Sequence, residues 1–543
     1  MILTSYFIVG LLFSAAPPLH DDAQLLYSTQ LKFAENGDPI VTVGLMDEQD
    51  SATISAAAGF KIHLAGPAGG VIETGPESVL VGRVRNTTPA TTRWRVILDA
   101  FPGGSLSEVQ EGRLRWKQRK VDYEVHEIGG FLGFPKKPLD NRKVLLLDKG
   151  HFHDSAAAKV RAEELRSRFG LNAPIKVMAE PLTRPHGRIE VRERSTGMIV
   201  SQLEMLAISA LDGGPITVHN VEFAKGYAKH GFEDRRYHGD IILAVDKTGK
   251  LAVVNRLSAE LLLQGVVPSE IFSTAPAASL RAQAITARGE LFAPIGLRNR
   301  SDPYVTCSTQ LCQVYGGITK ERESTNRAVQ ETRGKVIFGA DGRLVKSVYH
   351  SNSGGFTENN EHVWGTRKDD ALRGKPDAPP NTPLPWPQGQ VPTERQLRDF
   401  LQTRPPSYSA VGRGARALYR WTREYDRAEL NRLVNKKKRI GPVRRIEVVE
   451  RGISGRVRKV RFIGRKKSLE VRWELSVRRL LANLRSGLFV VDRTSTGWRF
   501  VGGGFGHGVG MSQYGAMRMA ERGSTEEEIL SHYYTGSRVV TIY

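Results

Sequence analysis

The sequence predicts an α+β fold, and three features carry that expectation. Short runs rich in β-branched and aromatic residues recur between turn signals, as in Ile40-Val41-Thr42-Val43-Gly44-Leu45 and Trp94-Arg95-Val96-Ile97-Leu98. Segments with capping residues and helical apolar spacing alternate with them. Glycine is abundant, at 55 residues, while aromatics make up 8%, a balance that suits a β-rich body with many turns. A chain of 543 residues can hold more than one domain and bury a substantial core.

Residues 1–20 open the chain with an apolar run from Tyr6 to Phe13, followed by Ser14-Ala15-Ala16. This reads as a secretory signal peptide, or as an uncleaved anchor because no Lys or Arg precedes the run. Export to the periplasm or cell wall is the expected location, with membrane contact only through this segment.

Residues 32–118 read as short strands and turns, the first part of a β-rich domain. Over 123–193 the texture changes. Lys143-Val144-Leu145-Leu146-Leu147 reads as a strand, and a helix opens at Ser155 and stops at Gly170. Strands follow at Ile175-Lys176-Val177 and 187–191. This β-α-β-β pattern reads as an inserted small α/β module, and it resembles the SPOR module, a small peptidoglycan-binding domain.

The run 237–543 returns to strands at 237–245 and 251–254. Ser258 caps a helix expected to end at Gly265, and Pro276 opens the next, over 277–292. Glu270 then falls in a short loop between two helices, flanked by Val266, Val267, Ile271 and Phe272. An apolar setting raises a carboxyl pKa, as a general acid requires. A surface glutamate at a helix corner fits the same residues. Further on, 396–403, 415–434 and 476–484 read as helices. Strands are expected at 446–449, 457–463 and 469–473.

Near the end, Gly504, Gly506, Gly508 and Gly510 recur at period two. In a strand that period puts the glycines on one face and Phe505, His507, Val509 and Met511 on the other. A bare face implies that another backbone or a bulky ligand comes very close. Ser512 caps a helix to Arg522, and Ser524-Thr525-Glu526-Glu527 has capping-box spacing for another.

The run 504–536 resembles the C-terminal signature of the stage II sporulation protein D family, which includes proteins named amidase enhancers. Gly265-Val266-Val267-Pro268-Ser269-Glu270 resembles the motif that carries the family's catalytic glutamate. Cys312-Gln313-Val314-Tyr315-Gly316-Gly317 and the block from Tyr349 to Glu358 continue the likeness. The resemblance implies a curved β-rich body with packed helices around a glycan-binding groove. It also implies a lytic transglycosylase that cuts peptidoglycan strands already stripped of peptide. Glu270 is then the catalytic acid and base. Tyr315, His350, Ser351, Ser353, Glu358, His507, Gln513 and Tyr514 are candidates for substrate contact, and Trp364 is a candidate stacking surface. Glu358 is also a distant candidate for the second carboxylate that hydrolysis would need. No cofactor is implied.

Two further features bear on partners. Lys+Arg 79 against Asp+Glu 57 gives a net charge of +22, which favours a polyanion, whether wall polymer or nucleic acid. No nucleic-acid reading motif accompanies the charge, and an export signal argues against that partner. Cys307 and Cys312 are the two cysteines, five apart, and in an exported protein a small disulfide loop is the first expectation, ahead of free buried thiols and of zinc. No histidine lies within 302–315, so no metal ligand set is assigned. A non-catalytic wall-binding protein that stimulates an amidase is the alternative to an enzyme.

Overall fold

The computed structural model describes residues 26–64, 69–171, 173–224, 230–410, 412 and 414–543. The signal or anchor expected over 1–20 lies outside the described residues. Two antiparallel sheets form the body. The larger runs Lys32–Phe33, Pro39–Gln49, Leu251–Ser258, Asp240–Val245, Met205–Ala210, Phe60–His63 and Val71–Glu73, with Thr306–Cys307 added parallel to Pro39–Gln49. The second runs Ile199–Leu203, His186–Glu193, Ser78–Thr88, Ser51–Ala56, Ile216–Phe223 and Gly231–Tyr237. Alternating residues from both sheets meet in one core, among them Val43, Phe60, Ile62, Ile208 and Ile241 against Ile54, Leu80, Ile189 and Val218.

The helices Ala259–Glu270, Ala277–Phe292 and Glu323–Glu331 join the same core through Leu262, Leu263, Val266, Leu280, Ala284 and Val329. Strand Leu251–Ser258 pairs with Pro39–Gln49 and passes directly into the first of these helices. The Ser258 hydroxyl caps it, accepting the Leu261 N–H at 3.2 Å. A fully buried ion pair then fixes its direction. Arg288 donates to Glu260 at 2.8 and 2.7 Å and to the Lys335 carbonyl at 3.0 Å, while the hydroxyl of C-terminal Tyr543 donates to the same glutamate. A buried pair like this must be fully hydrogen-bonded to be tolerated.

The helix does not stop at Gly265; it continues through Pro268 to Glu270. Gly265 is there for clearance, because a Cβ would lie 2.6 Å from the Tyr315 ring. The α/β unit also begins earlier than 123–193. Strand Thr92–Pro102 lies inside its four-stranded sheet, pairing with Lys143–Asp148 and Lys176–Pro181, while Tyr123–Ile128 forms an edge. With helices Leu106–Gln118 and Ser155–Arg168, the unit spans 92–181 in a β-α-β-β-α-β order. His186–Glu193, expected within it, belongs to the six-stranded sheet.

Residues 237–543 divide into more than one core. Strands Trp421–Asp426, Phe489–Arg493 and Gly497–Gly502 form one sheet, and Val443–Arg451, Val457–Gly464 and Ser468–Arg472 another. These share a separate cluster that includes Tyr425, Leu430, Phe462, Val477 and Phe500. The helix expected over 415–434 is broken by Trp421–Asp426, because Trp421 and Tyr425 bury on one face and the strand pairs with Gly497–Gly502.

The glycine stretch is not a strand. Gly504, Gly506, Gly508 and Gly510 all have positive φ, at 79, 102, 83 and 67°. L-residues rarely adopt that conformation, so the alternation reflects backbone shape more than a bare strand face. The ribbon threads against 348–354 and Arg456. A Cβ on Gly510 would sit 2.1 Å from the Val348 carbonyl, and one on Gly508 would sit 2.2 Å from the Arg456 guanidinium carbon. Among the described residues, no helix is long and apolar enough to cross a membrane.

These contacts predict that Gly508→Val costs at least about 3 kcal/mol, from the left-handed backbone and the clash together. His507→Ala, which only leaves space, should cost less. Urea unfolding of the two variants checks the order; equal midpoints would contradict it.

Candidate active site

Glu270 is the last residue of its helix, half-buried beside the fully packed Val266, Val267 and Ile271. Its Oε1 accepts the Val314 N–H at 3.0 Å. The Tyr349 hydroxyl lies near enough to the same carboxyl to influence its titration, and donates to Gln313 Oε1 at 3.1 Å. Gln313 in turn donates to the Ala287 carbonyl at 3.1 Å. From the other side, the Gln513 amide donates to the Glu270 backbone carbonyl at 2.9 Å and to Gln283 Oε1 at 3.3 Å.

Burial pushes the Glu270 carboxyl above the usual carboxylate range, only partly offset by the Val314 and Tyr349 hydrogen bonds. No charged side chain contributes to that shift. Burial also raises Tyr349 well above its ordinary value, with Glu270 and Glu290 adding to the effect, so its hydroxyl stays protonated and able to donate. The arrangement is a carboxyl group poised to give up a proton and held by neutral donors.

The 306–315 loop supplies two of these partners. Cys307 and Cys312 form a disulfide with Cα atoms 5.5 Å apart. Cys307 lies in the strand beside Gly44, and Cys312 is followed at once by Gln313 and Val314. The bridge therefore closes the turn that delivers the Val314 N–H to Glu270.

The other candidate residues are distributed unevenly. Gln513 and Tyr514 lie at the glutamate. Tyr514 packs edge-on against Phe272 at 6.2 Å, and Phe272 is 58% exposed. Ser351 is half-buried, and its carbonyl accepts the Tyr514 N–H at 3.1 Å. His507 packs between His350 and Trp364, with ring centroids 5.4 and 5.1 Å away. Burial, with help from Arg478 and Arg456, pushes His507 down to about 3, and His350 is likewise held well below its ordinary value. Both rings are neutral at physiological pH.

Three candidates are packed inside. Tyr315 is 2% exposed, its hydroxyl donating to Asn255 Oδ1 at 3.1 Å beneath Gly265. Ser353 donates to Asp377 at 2.5 Å in a network with Ser409. Glu358 is fully buried and accepts from Ser454 Oγ at 2.5 Å, from the N–H groups of Ile453, Ser454 and Asn359, and pairs with His362 at 3.0 Å. Burial alone would raise its pKa, but the His362 and Ser454 interactions hold it below the usual range. These side chains are spent on structure, and direct contact with substrate would require breaking that structure. The sequence reading missed Tyr349, Gln313, Gln283 and the Val314 N–H. Tyr349 and Gln313 sat inside motif blocks, but nothing in their local pattern tied them to Glu270.

This geometry coincides with the comparisons to known proteins. Residues 247–338 match the family model described as Stage II sporulation protein. The chain carries a stage II sporulation protein domain. Residues 358–510 match a second model, described as a domain of unknown function, which covers most of the separately cored lobe. Over 306 residues the chain is 26% identical to an amidase enhancer of Bacillus subtilis, covering 51% of this chain and 40% of that protein. It is 25% identical over 325 residues to stage II sporulation protein D of Bacillus subtilis, covering 55% of this chain and 79% of that one. An uncharacterized protein of Brachyspira hyodysenteriae is 26% identical over 320 residues, covering 59% and 75%. The stage II sporulation protein domain contains Glu270, its helix and the Val314 turn.

A raised folded-state pKa makes protonated Glu270 a stabilising contribution, present below the ordinary value of 4.5 and lost as pH rises through the folded value. At neutral pH the charged, half-buried carboxylate costs stability. Glu270→Gln keeps the acceptor for Val314 and removes that cost. The variant should unfold at higher urea than the wild type at pH 7, with the gap closing as pH falls towards 4. A gap independent of pH would contradict the assignment.

Proposed function

We propose that the protein is an exported wall enzyme that cleaves peptide-free peptidoglycan glycan strands by lytic transglycosylation. The observation that carries this reading is Glu270: one carboxyl whose affinity for its proton is raised by burial, with no second carboxylate acting on it. Glu270 donates its proton to the glycosidic oxygen as the C1–O bond breaks. The resulting carboxylate accepts the proton of the sugar's own C6 hydroxyl, whose oxygen closes on C1. The product is a 1,6-anhydro end, no water is consumed, and the glutamate returns to its acid form. Hydrolysis would ordinarily need a second carboxylate for water or for the anomeric carbon. Glu358, considered for that part, has its oxygens committed to Ser454, Ile453, Asn359 and His362.

The Val314 N–H and the Tyr349 hydroxyl would steady the carboxylate formed midway, and the exposed Phe272 beside Tyr514 offers an apolar face to a sugar ring. The names of the relatives, stage II sporulation protein D and amidase enhancer, support a role in the wall. The name amidase enhancer also favours a second reading, in which the same groove holds glycan without cutting it and an N-acetylmuramoyl-L-alanine amidase is the partner.

Purified protein incubated with denuded glycan should release anhydro ends detectable by mass spectrometry. Glu270→Gln should lower the rate at least about 100-fold while glycan still binds. Tight binding without any cleavage by the wild type would favour the enhancer reading; cleavage by Glu270→Gln at the wild-type rate would remove Glu270 from the chemistry.

A further inference from the structure

The 92–181 unit covers only one face of its sheet with helices. Val96, Leu98, Leu146 and Val177 pack there with Ala158, Ala162 and Leu165. The register places Ile97 opposite both Leu147 and Lys176, and Lys143 is two and four residues before Leu145 and Leu147. Lys143 and Lys176 therefore project from the helix-free face. The unit is anchored to the rest of the protein at three points. Asn141 donates to the Ile295 carbonyl at 2.7 Å, Arg343 donates to the Gly103 carbonyl at 2.6 Å, and Arg367 pairs with Glu108. Each anchor lies within a few residues of Arg298, Lys346 or Trp364. Lys346 stands 5.9 Å from the Trp364 ring centroid.

Four cations thus converge between the inserted unit and the body. Lys143, Lys176 and Arg298 remain exposed, and Lys346 is half-buried. None of the three lysines has an ion-pair partner among the described residues, and Arg298 has only the Leu311 carbonyl at 3.4 Å. Desolvation by the surrounding protein depresses all three lysines, even where Lys143 and Lys176 keep contact with solvent; Arg298 depresses each further, and Lys346 adds to this at Lys143 and Lys176. The opposing carboxylates are Asp369 towards Lys143 and Glu290 towards Lys346. One Glu290 oxygen is itself buried without a partner. Like charges gathered without counterions are costly unless an anion joins them. Lys346 is three residues before Tyr349, and Glu290 acts on both, so the cluster is close to the Glu270 site.

We propose that Lys143, Lys176, Lys346 and Arg298 form a subsite for the free carboxylate of a muramyl-type sugar, so that the inserted unit reads whether a glycan has lost its peptide. This rests on the glycan reading above. A peptide stem turns that carboxylate into a neutral amide and adds bulk. Removal of the stem exposes the anion that the cluster lacks. The substrate preference then resides in four named side chains on two parts of the chain, beyond the general attraction of a +22 protein.

The test compares denuded glycan with the same glycan converted to methylamides, which keeps its shape and removes its charge. At low salt, wild-type protein should bind the native polymer at least about tenfold more tightly, because several charge contacts are lost together in the methylamide. Lys143→Gln/Lys176→Gln should bind both polymers alike and melt no lower than the wild type, since these side chains hold no structure together. Arg298→Gln should shift discrimination in the same direction. Equal binding of the two polymers by the wild type, or undiminished discrimination by the double variant, overturns the subsite. A wild type that discriminates but releases no anhydro ends supports the subsite and removes the cleavage reading.

Discussion

An arginine and a glutamate reaching in opposite directions tie the lobe to the body. Arg456, 1% exposed, comes from the lobe and donates to the Ser353 and Phe356 carbonyls at 2.7 and 2.8 Å. Glu358, from the 349–358 block, reaches back to the 453–454 turn beside that arginine. Gly508 lies flat on the guanidinium. Removing either side chain would leave buried polar groups without their hydrogen-bond partners: the Ser353 and Phe356 carbonyls in one case, the Ile453 and Ser454 N–H groups in the other. The glycine ribbon, the 348–354 segment and the lobe are therefore one mechanical unit. Tyr349 lies at the end of it nearest Glu270, and Gln513 leaves the ribbon to hold the Glu270 carbonyl.

Glu270 draws on that rigidity. Its helix is fixed at the other end by the Arg288–Glu260–Tyr543 cluster, which ties it to the C-terminal residue. A carboxyl that must both give and take a proton cannot sit beside a fixed cation, which would hold it ionised. Here the partners are a backbone N–H and a tyrosine hydroxyl. Neutral donors stabilise the carboxylate enough to let it form and too little to trap it.

How much of this was legible follows from the range of the interactions. The α+β class, the Ser258 cap and the Ala277–Phe292 helix rest on local spacing, and local spacing shows in a sequence. The glycine period was visible, but its cause was misread. Four positive φ values in alternation look like a strand face when only the letters are seen. Gly265 looked like a helix stop because the Tyr315 ring it clears is fifty residues away. The 415–434 helix failed because pairing with 497–502 outweighs helix propensity at Trp421 and Tyr425. The motif blocks drew attention to Glu270, Tyr315, Ser353 and Glu358 alike. A chemically rich block looks the same whether its polar groups face a ligand or satisfy one another in a core.

The inserted unit shows a different division of labour. Arg95, on the same helix-free face as Lys176, is fully buried, and its two terminal nitrogens donate to Glu124, Glu180 and the Asp148 carbonyl. A few residues along that face, Lys143 and Lys176 have no such partners. One sheet therefore contains both arrangements of a cation on its helix-free face: ion pairing where the unit must hold its shape, and none where it meets the body beside Lys346. Had the unit been retained only as a structural prop, the second group would gain stability by acquiring carboxylates as the first has done. Its unpaired state makes sense when the missing charge arrives with something that binds.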